Sequence, residues 1–159
     1  MYKIGTAVEI LGNAFIAAII AQLIKLIWYL IIHKKLNFKI LTTTGGMPSS
    51  HSACVMALSF TVGYIEGLNS VAFAIALGYA FVVMYDAAGI RRSAGKIAAT
   101  MNRVMEELYS HRPSAAGEKL KELLGHTPFE VFMGALLGIV VSYVIHFLIL
   151  QWSVKIFSW

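Results

Sequence analysis

Residues 7–32 read AVEILGNAFIAAIIAQLIKLIWYLII, an apolar run whose charged residues are Glu9 and Lys25 alone. About 20 such residues, wound as a helix, cross the hydrocarbon core of a bilayer. The run is too long for a secretory h-region and no clear small-residue cleavage site follows it, so it reads as a retained span. Three further segments repeat the pattern, at about 52–68, 71–90 and 129–151. The second has an interrupted end, at Gly63 and Glu66. The expected fold is therefore all-α: an integral membrane four-helix bundle forming one domain over 1–159, with an amphipathic helical layer on its cytoplasmic face.

The whole chain agrees with this local reading. Of 159 residues, 58% are apolar and 13% charged, and the mean hydropathy is +0.74. A soluble domain carries about 25% charged residues, so a soluble globule of this size lacks the polar residues to cover its surface. The same arithmetic excludes intrinsic disorder. The single cysteine, Cys54, lies in an apolar run; it reads as packing and permits no intramolecular disulfide.

The connections are unequal. Residues 68–70 make a tight turn, 33–50 a basic and then Gly/Ser/Thr-rich loop, and 91–128 a long polar segment. Within the last, Ile97, Met101, Val104 and Leu108 recur at helical spacing, which predicts an amphipathic helix continuing from or lying beside the third span. A shorter helix is expected after Pro113, ending near Gly125. The two large loops hold ten of the thirteen Lys and Arg residues; only Lys3 and Lys155 lie on the other side, with Lys25 inside the first span. The positive-inside bias puts both loops in the cytoplasm and both termini outside. It also accounts for the net charge of +5 through membrane anchoring rather than nucleic acid.

That topology brings Ser49, Ser50, His51, Asp86, Arg91, Arg92, His126 and Glu130 to one membrane face. His146 is 20 residues beyond His126, about 30 Å along a helix, and so belongs to the opposite face with an interfacial or packing role. In residues 45–52, GGMPSSHS, two glycines permit close approach and unusual dihedrals. Ser49 or Ser50 can cap the helix that follows, with His51 as its first residue. The segment is either a simple cap after a loop or a phosphate cradle at a helix N-terminus. In residues 125–130, GHTPFE, the order Thr127, Pro128, Glu130 makes a capping box. The box leaves His126 unexplained. A histidine four residues before a carboxylate can have one ring nitrogen held and the other left for chemistry.

Residues 85–92, YDAAGIRR, end the third span. Arg91 and Arg92 are positive-inside anchors or a phosphate fork. Asp86 lies about a turn inside the apolar segment, where an ionisable group is costly unless paired, and an arginine is its natural partner. Lys25, about 10 Å inside the first span, either snorkels to the headgroups or reaches an anion within the bundle. The histidines are scattered and make no zinc pattern. There is no Walker loop, dinucleotide fingerprint or G-x-S-x-G elbow. Gly134 and Gly138 form a G-x-x-x-G, a packing motif that also weakly suggests a dimer face.

The three polar motifs together resemble the type 2 phosphatidic acid phosphatase superfamily, which also includes vanadium-dependent haloperoxidases. Pro48-Ser49-Ser50-His51 is similar to its P-S-G-H motif, and His126 through Val131 with Gly134 to its H-x-P-x-D-V-x-x-G. The closer likeness is to the small divergent membrane branch, with G-G-M-P-S-S-H-S-A, then Y-D-A-A-G-x-R-R, then G-H-T-P-x-E-V. The resemblance implies a metal-independent membrane phosphatase with no cofactor. It casts His126 as the nucleophile that becomes phosphohistidine, Glu130 as its orienting carboxylate in place of the family aspartate, and His51 as the general acid. It gives the phosphate oxygens to Ser49 and the backbone N–H groups near it; our own reading of the residues adds Gly45, Gly46, Ser50, Lys25, Arg91, Arg92 and Lys121 to that cradle, with Asp86 supporting them. Vanadate would mimic the transition state.

The chain departs from the superfamily pattern in three places. The first motif, K-x6-R-P, is not recognisable; Lys25 is the best lysine, but residue 32 is isoleucine. Leu120 stands six residues before His126, where the family has arginine, flanked by Lys119 and Lys121. Ser50 stands where the family has glycine. The expected partners are the bilayer and a lipid phosphate or other phosphate ester, with a homodimer plausible for so thin a bundle. The alternatives are a catalytically silent binder or transporter of anionic lipid headgroups, or a small assembly subunit whose partner surface is the amphipathic segment.

Overall fold

The apolar segments fold as helices because a run of about 20 apolar residues satisfies its own backbone without water only in that form. A computed structural model describes residues 7–35, 45–108, 120 and 125–157; the side chains of residues 91, 92 and 149–157 lie outside that description. In chain order the helices are α1 (Ala7–His33), α2 (Ser50–Glu66), α3 (Val71–Tyr85), a π-helical turn (Asp86–Ile90), α4 (Arg91–Leu108) and α5 (Pro128–Phe157). The described residues form no strand, and the fold is all-α. The helix expected after Pro113 falls outside the described residues.

The most buried of the apolar helices is the centre of the bundle. α2 packs against α1, α3 and α5, and α1 also touches α5. Their common seam is built from small residues: Ala17 and Ala21 of α1 meet Ala53 and Ala57 of α2, with Val141 of α5 closing the cluster. Gly134 and Gly138 face α2 so closely that a Cβ at either would overlap a backbone oxygen, that of Ser49 and that of Ala53 respectively. The G-x-x-x-G is thus consumed inside the chain rather than offered to a second copy. On the other side, Val55 and Met56 of α2 pack with Ala80 of α3 and Ala135 of α5. Ser59 fastens the α2–α3 pair, its hydroxyl lying 2.7 Å from the Val55 carbonyl and 3.0 Å from that of Ala76.

Among the described residues, three helices are long and apolar enough to cross a membrane by length and composition: Ala7–His33, Val71–Leu108 and Pro128–Leu148. α2, the expected second span, is shorter than these. Its 17 residues extend about 25 Å, against a hydrocarbon core of about 30 Å. It starts at the Ser49 cap and stops at Gly67, whose φ is 96°. Phe15, Ile19, Ile75, Val82 and Phe132 are exposed on the surrounding helices. An outer surface of that kind suits lipid rather than water. α3 and α4 form one continuous helix, but its regular turns are interrupted at residues 86–90, where the expected third span simply continued.

At the end of the bundle away from the capping motifs lies a second polar group. His146 Nδ1 sits 2.6 Å from Glu9 Oε1, and Tyr64 stacks on the His146 ring at 5.4 Å. One helical turn further along α1, the Asn13 amide donates to Thr61 Oγ1 at 3.0 Å. His146 therefore has a defined partner and stays apart from the capping motifs, as its position along the helix required.

Candidate functional site

Two loop-to-helix junctions build the site, and each is held by its own cap. Gly45 and Gly46 adopt φ of 115° and 84°, a left-handed backbone open to glycine at little cost. Ser49 is the N-cap of α2: its Oγ accepts from the Ser52 N–H at 3.4 Å and the Ser52 hydroxyl at 3.0 Å. The helix begins at Ser50, so His51 is its second residue rather than the first. At the other junction Thr127 caps α5. Its Oγ1 accepts from the Glu130 N–H at 3.3 Å, and its own N–H donates to Glu130 Oε2 at 3.1 Å.

The same carboxylate oxygen does a second job. Glu130 Oε2 lies 3.1 Å from Nδ1 of His126. A carboxylate only accepts, so Nδ1 carries a proton, and in the neutral ring Nε2 bears the lone pair. Capping and histidine orientation, which compete as readings of the sequence, are served by one side chain at once. His126 is 4% exposed, whereas His51 is exposed. The two rings meet edge to face with centroids 6.4 Å apart.

Backbone bonds lock the junctions together. The Ser49 N–H donates to the Glu130 carbonyl at 3.0 Å, tying the start of α2 to the start of α5. The His126 N–H donates to the Ala87 carbonyl in the π turn at 3.1 Å. Gly134 allows the first tie, because any side chain there would meet the Ser49 backbone.

Lys25 resolves inward. It is 6% exposed, and its stem lies along Gly46, where an added Cβ would sit 3.4 Å from Lys25 Cδ. Its ammonium and the Glu130 carboxylate interact electrostatically. The side chain is thus buried within the bundle rather than extended to the headgroups. His51, His126, Glu130, Ser49, Ser50, Gly45, Gly46 and Lys25 thus belong to one neighbourhood. Asp86 stands at the start of the π turn, half-buried. Arg91 and Arg92 open α4 directly after that turn; their side chains, and with them an Asp86–Arg pair, lie outside the described set, as does Lys121. Among the described residues no group of three metal-ligating side chains forms.

Two further residues went unnoticed in the sequence. Asn102 of α4 pairs with the backbone of Leu120, donating to its carbonyl and accepting from its N–H, both at 2.9 Å. It anchors the chain six residues before His126, and the one available signal was an amide side chain in α4. Glu9 was visible as a charge in the first span, but its partner lies 137 positions away.

Comparison with known proteins agrees with the geometry. The model of the Divergent PAP2 family matches residues 7–141. The uncharacterized membrane protein YuiD of Bacillus subtilis is 43% identical over 143 residues, covering 84% of this chain and 90% of that protein. No solved structure matches. Taken over nearly the whole bundle and both capping motifs, these likenesses make the chain a membrane protein belonging to the Divergent PAP2 family.

Proposed function

We propose that this protein is a metal-independent membrane phosphatase that hydrolyses lipid phosphate monoesters, or related phosphate esters, through a phosphohistidine intermediate. The observation that carries the reading is His126, held through Nδ1 by Glu130 at 3.1 Å, with His51 across from it at 6.4 Å between ring centres. An attacking atom works from about 3–3.5 Å and a general acid from about 2.6–3.2 Å. That spacing suits a phosphoryl group that touches both rings.

His126 Nε2 attacks phosphorus in line, the P–O bond to the alcohol breaks, and the leaving alkoxide takes a proton from His51. Water then gives a proton to His51 and attacks the phosphohistidine. The P–N bond breaks, and inorganic phosphate and the starting imidazole are released. Charge on the phosphoryl oxygens is met by Lys25, by the first-turn N–H groups of α2 and by Arg91 and Arg92 beyond the π turn. Glu130 keeps the attacking tautomer and stabilises the cationic ring that forms. The excess of Lys and Arg in the two large loops supports a site at the cytoplasmic face, within reach of inner-leaflet headgroups. A reporter that is active only in the cytoplasm, and active when fused to the C-terminus, would overturn that orientation.

A silent headgroup binder would use the same cradle. Transport through the bundle fits less well, because Ala17, Ala21, Ala53, Ala57 and Val141 fill the interior between its two polar ends. The deciding experiment is phosphate release from short-chain phosphatidic acid and isoprenyl phosphates in detergent with EDTA. Release that vanadate and His126→Ala both abolish supports the enzyme. Vanadate raising the Tm of the wild type but not of His126→Ala, with no release, favours the binder.

A further inference from the structure

We infer that the π turn Asp86–Ile90 is a positioning element for His126: it presents the Ala87 carbonyl to the His126 backbone N–H and so fixes the imidazole's point of attachment. The inference rests on the hydrolysis reading for its consequence, but not for its structural content.

His126 precedes the Thr127 cap and lies outside α5, so no helix of its own provides an acceptor for its N–H. The residue is nearly fully buried, and a buried N–H without a partner costs free energy comparable to a lost hydrogen bond. The acceptor comes from a place where the helix is already irregular. The Asp86 N–H is shared between the Val82 and Val83 carbonyls, and the five residues that follow from Asp86 are wound as a π turn. A π turn departs from the regular i→i−4 pattern, and such insertions recur at functional sites. The Ala87 carbonyl then accepts from His126 at 3.1 Å.

Composition makes the contact possible. Ala87 is 3% exposed, so a larger side chain there has to push its neighbours aside. His126 is consequently held at two points by two elements: its ring Nδ1 by Glu130 of α5, and its backbone N–H by the π turn. One hydrogen bond fixes a ring's tilt; adding the second fixes where the ring starts. A misplacement of about 1 Å at a reacting atom can cost a hundredfold in rate. In this reading the run Asp86-Ala87-Ala88-Gly89 acts through His126 and need not touch phosphate itself.

The test measures amide hydrogen exchange at His126 and the 15N spectrum of its ring in wild type, Ala87→Gly and Ala87→Leu. Wild type should protect the His126 amide by about a hundredfold or more over a free peptide. Ala87→Gly keeps the carbonyl and should match it. Ala87→Leu should lose the protection, shift the ring nitrogens away from the Nδ1–H tautomer, and lower kcat much more than it raises KM. A wild-type His126 amide exchanging at the free-peptide rate overturns the inference, as does an Ala87→Leu protein with unchanged exchange and ring spectrum. If Ala87→Leu does not fold, the wild-type exchange rate decides alone. Failure to release phosphate from any substrate would sink the hydrolysis reading and leave the exchange result standing, so the two failures are distinct.

Discussion

Replacing Gly134 with alanine sets two magnitudes of opposite sign against each other. Alanine favours a helix over glycine by about 1 kcal/mol. Against this, the new Cβ would overlap the Ser49 carbonyl oxygen and lie 3.0 Å from Ser52 Cβ and 3.1 Å from the Ser49 carbonyl carbon. Two of these three neighbours are backbone and cannot rotate away, so α5 must move off α2. Overpacking of this kind costs about 1–3 kcal/mol. The clash should win, with a net loss of up to about 2 kcal/mol and a Tm lower by up to about 8 °C for a chain of this size. The movement also strains the Ser49 N–H to Glu130 carbonyl bond, so vanadate binding should weaken with stability. Gly138→Ala, facing the Ala53 oxygen and the Ala57 nitrogen at 2.9 Å, should lose at least as much. Gly78→Ala is the control: nothing lies within 4 Å of its Cβ, and only the helix gain remains. The assay is thermal unfolding of the purified protein in one detergent. A Gly134→Ala protein as stable as Gly78→Ala would refute the close α2–α5 approach.

Four other outcomes follow from the contacts. Glu130→Gln should lower kcat by about a hundredfold or more while KM changes little, because the amide no longer stabilises the cationic His126 ring; steady-state kinetics on the phosphate ester would show it. Lys25→Met should weaken vanadate binding, read from the Tm shift, by about ten- to a hundredfold, the equivalent of one charged contact of about 1.5–3 kcal/mol. Glu9→Ala should cost about 1–3 kcal/mol of stability by removing the partner of the half-buried His146 and leave kcat/KM unchanged, since the pair lies at the other end of the bundle; parallel melting and turnover assays separate the two. Asn102→Ala removes both bonds to Leu120 and should speed limited proteolysis between α4 and α5 severalfold with little change in bundle Tm.

The sequence by itself determined the class of the molecule and the address of its polar residues. Hydropathy over 20-residue windows is a local quantity, and the bilayer removes every backbone solution except a helix, so α1, α3 and α5 were legible within a few residues. Both caps were legible for the same reason: Ser49 with Ser52, and Thr127 with Glu130, are contacts three residues apart along one chain. The His126–Glu130 pair is an i,i+4 contact and was read from spacing. The family followed from motifs that these caps contain.

Tertiary structure alone decided what depends on helix rotation and on distant partners. Lys25 could point to headgroups or inward, and only the placement of Gly46 beside α1 turned it inward. Gly134 and Gly138 could have served a dimer; the closeness of α2 assigned them to the bundle. Hydropathy does not distinguish burial in lipid from burial in protein, and only the packing shows that α2 sits largely among the other helices. Glu9 found His146 across 137 positions, and no local pattern encodes such a pairing. The π turn is likewise invisible in periodicity, because one widened turn leaves the apolar run unbroken. Its function as an acceptor for His126 exists only once α5 begins where α3 ends.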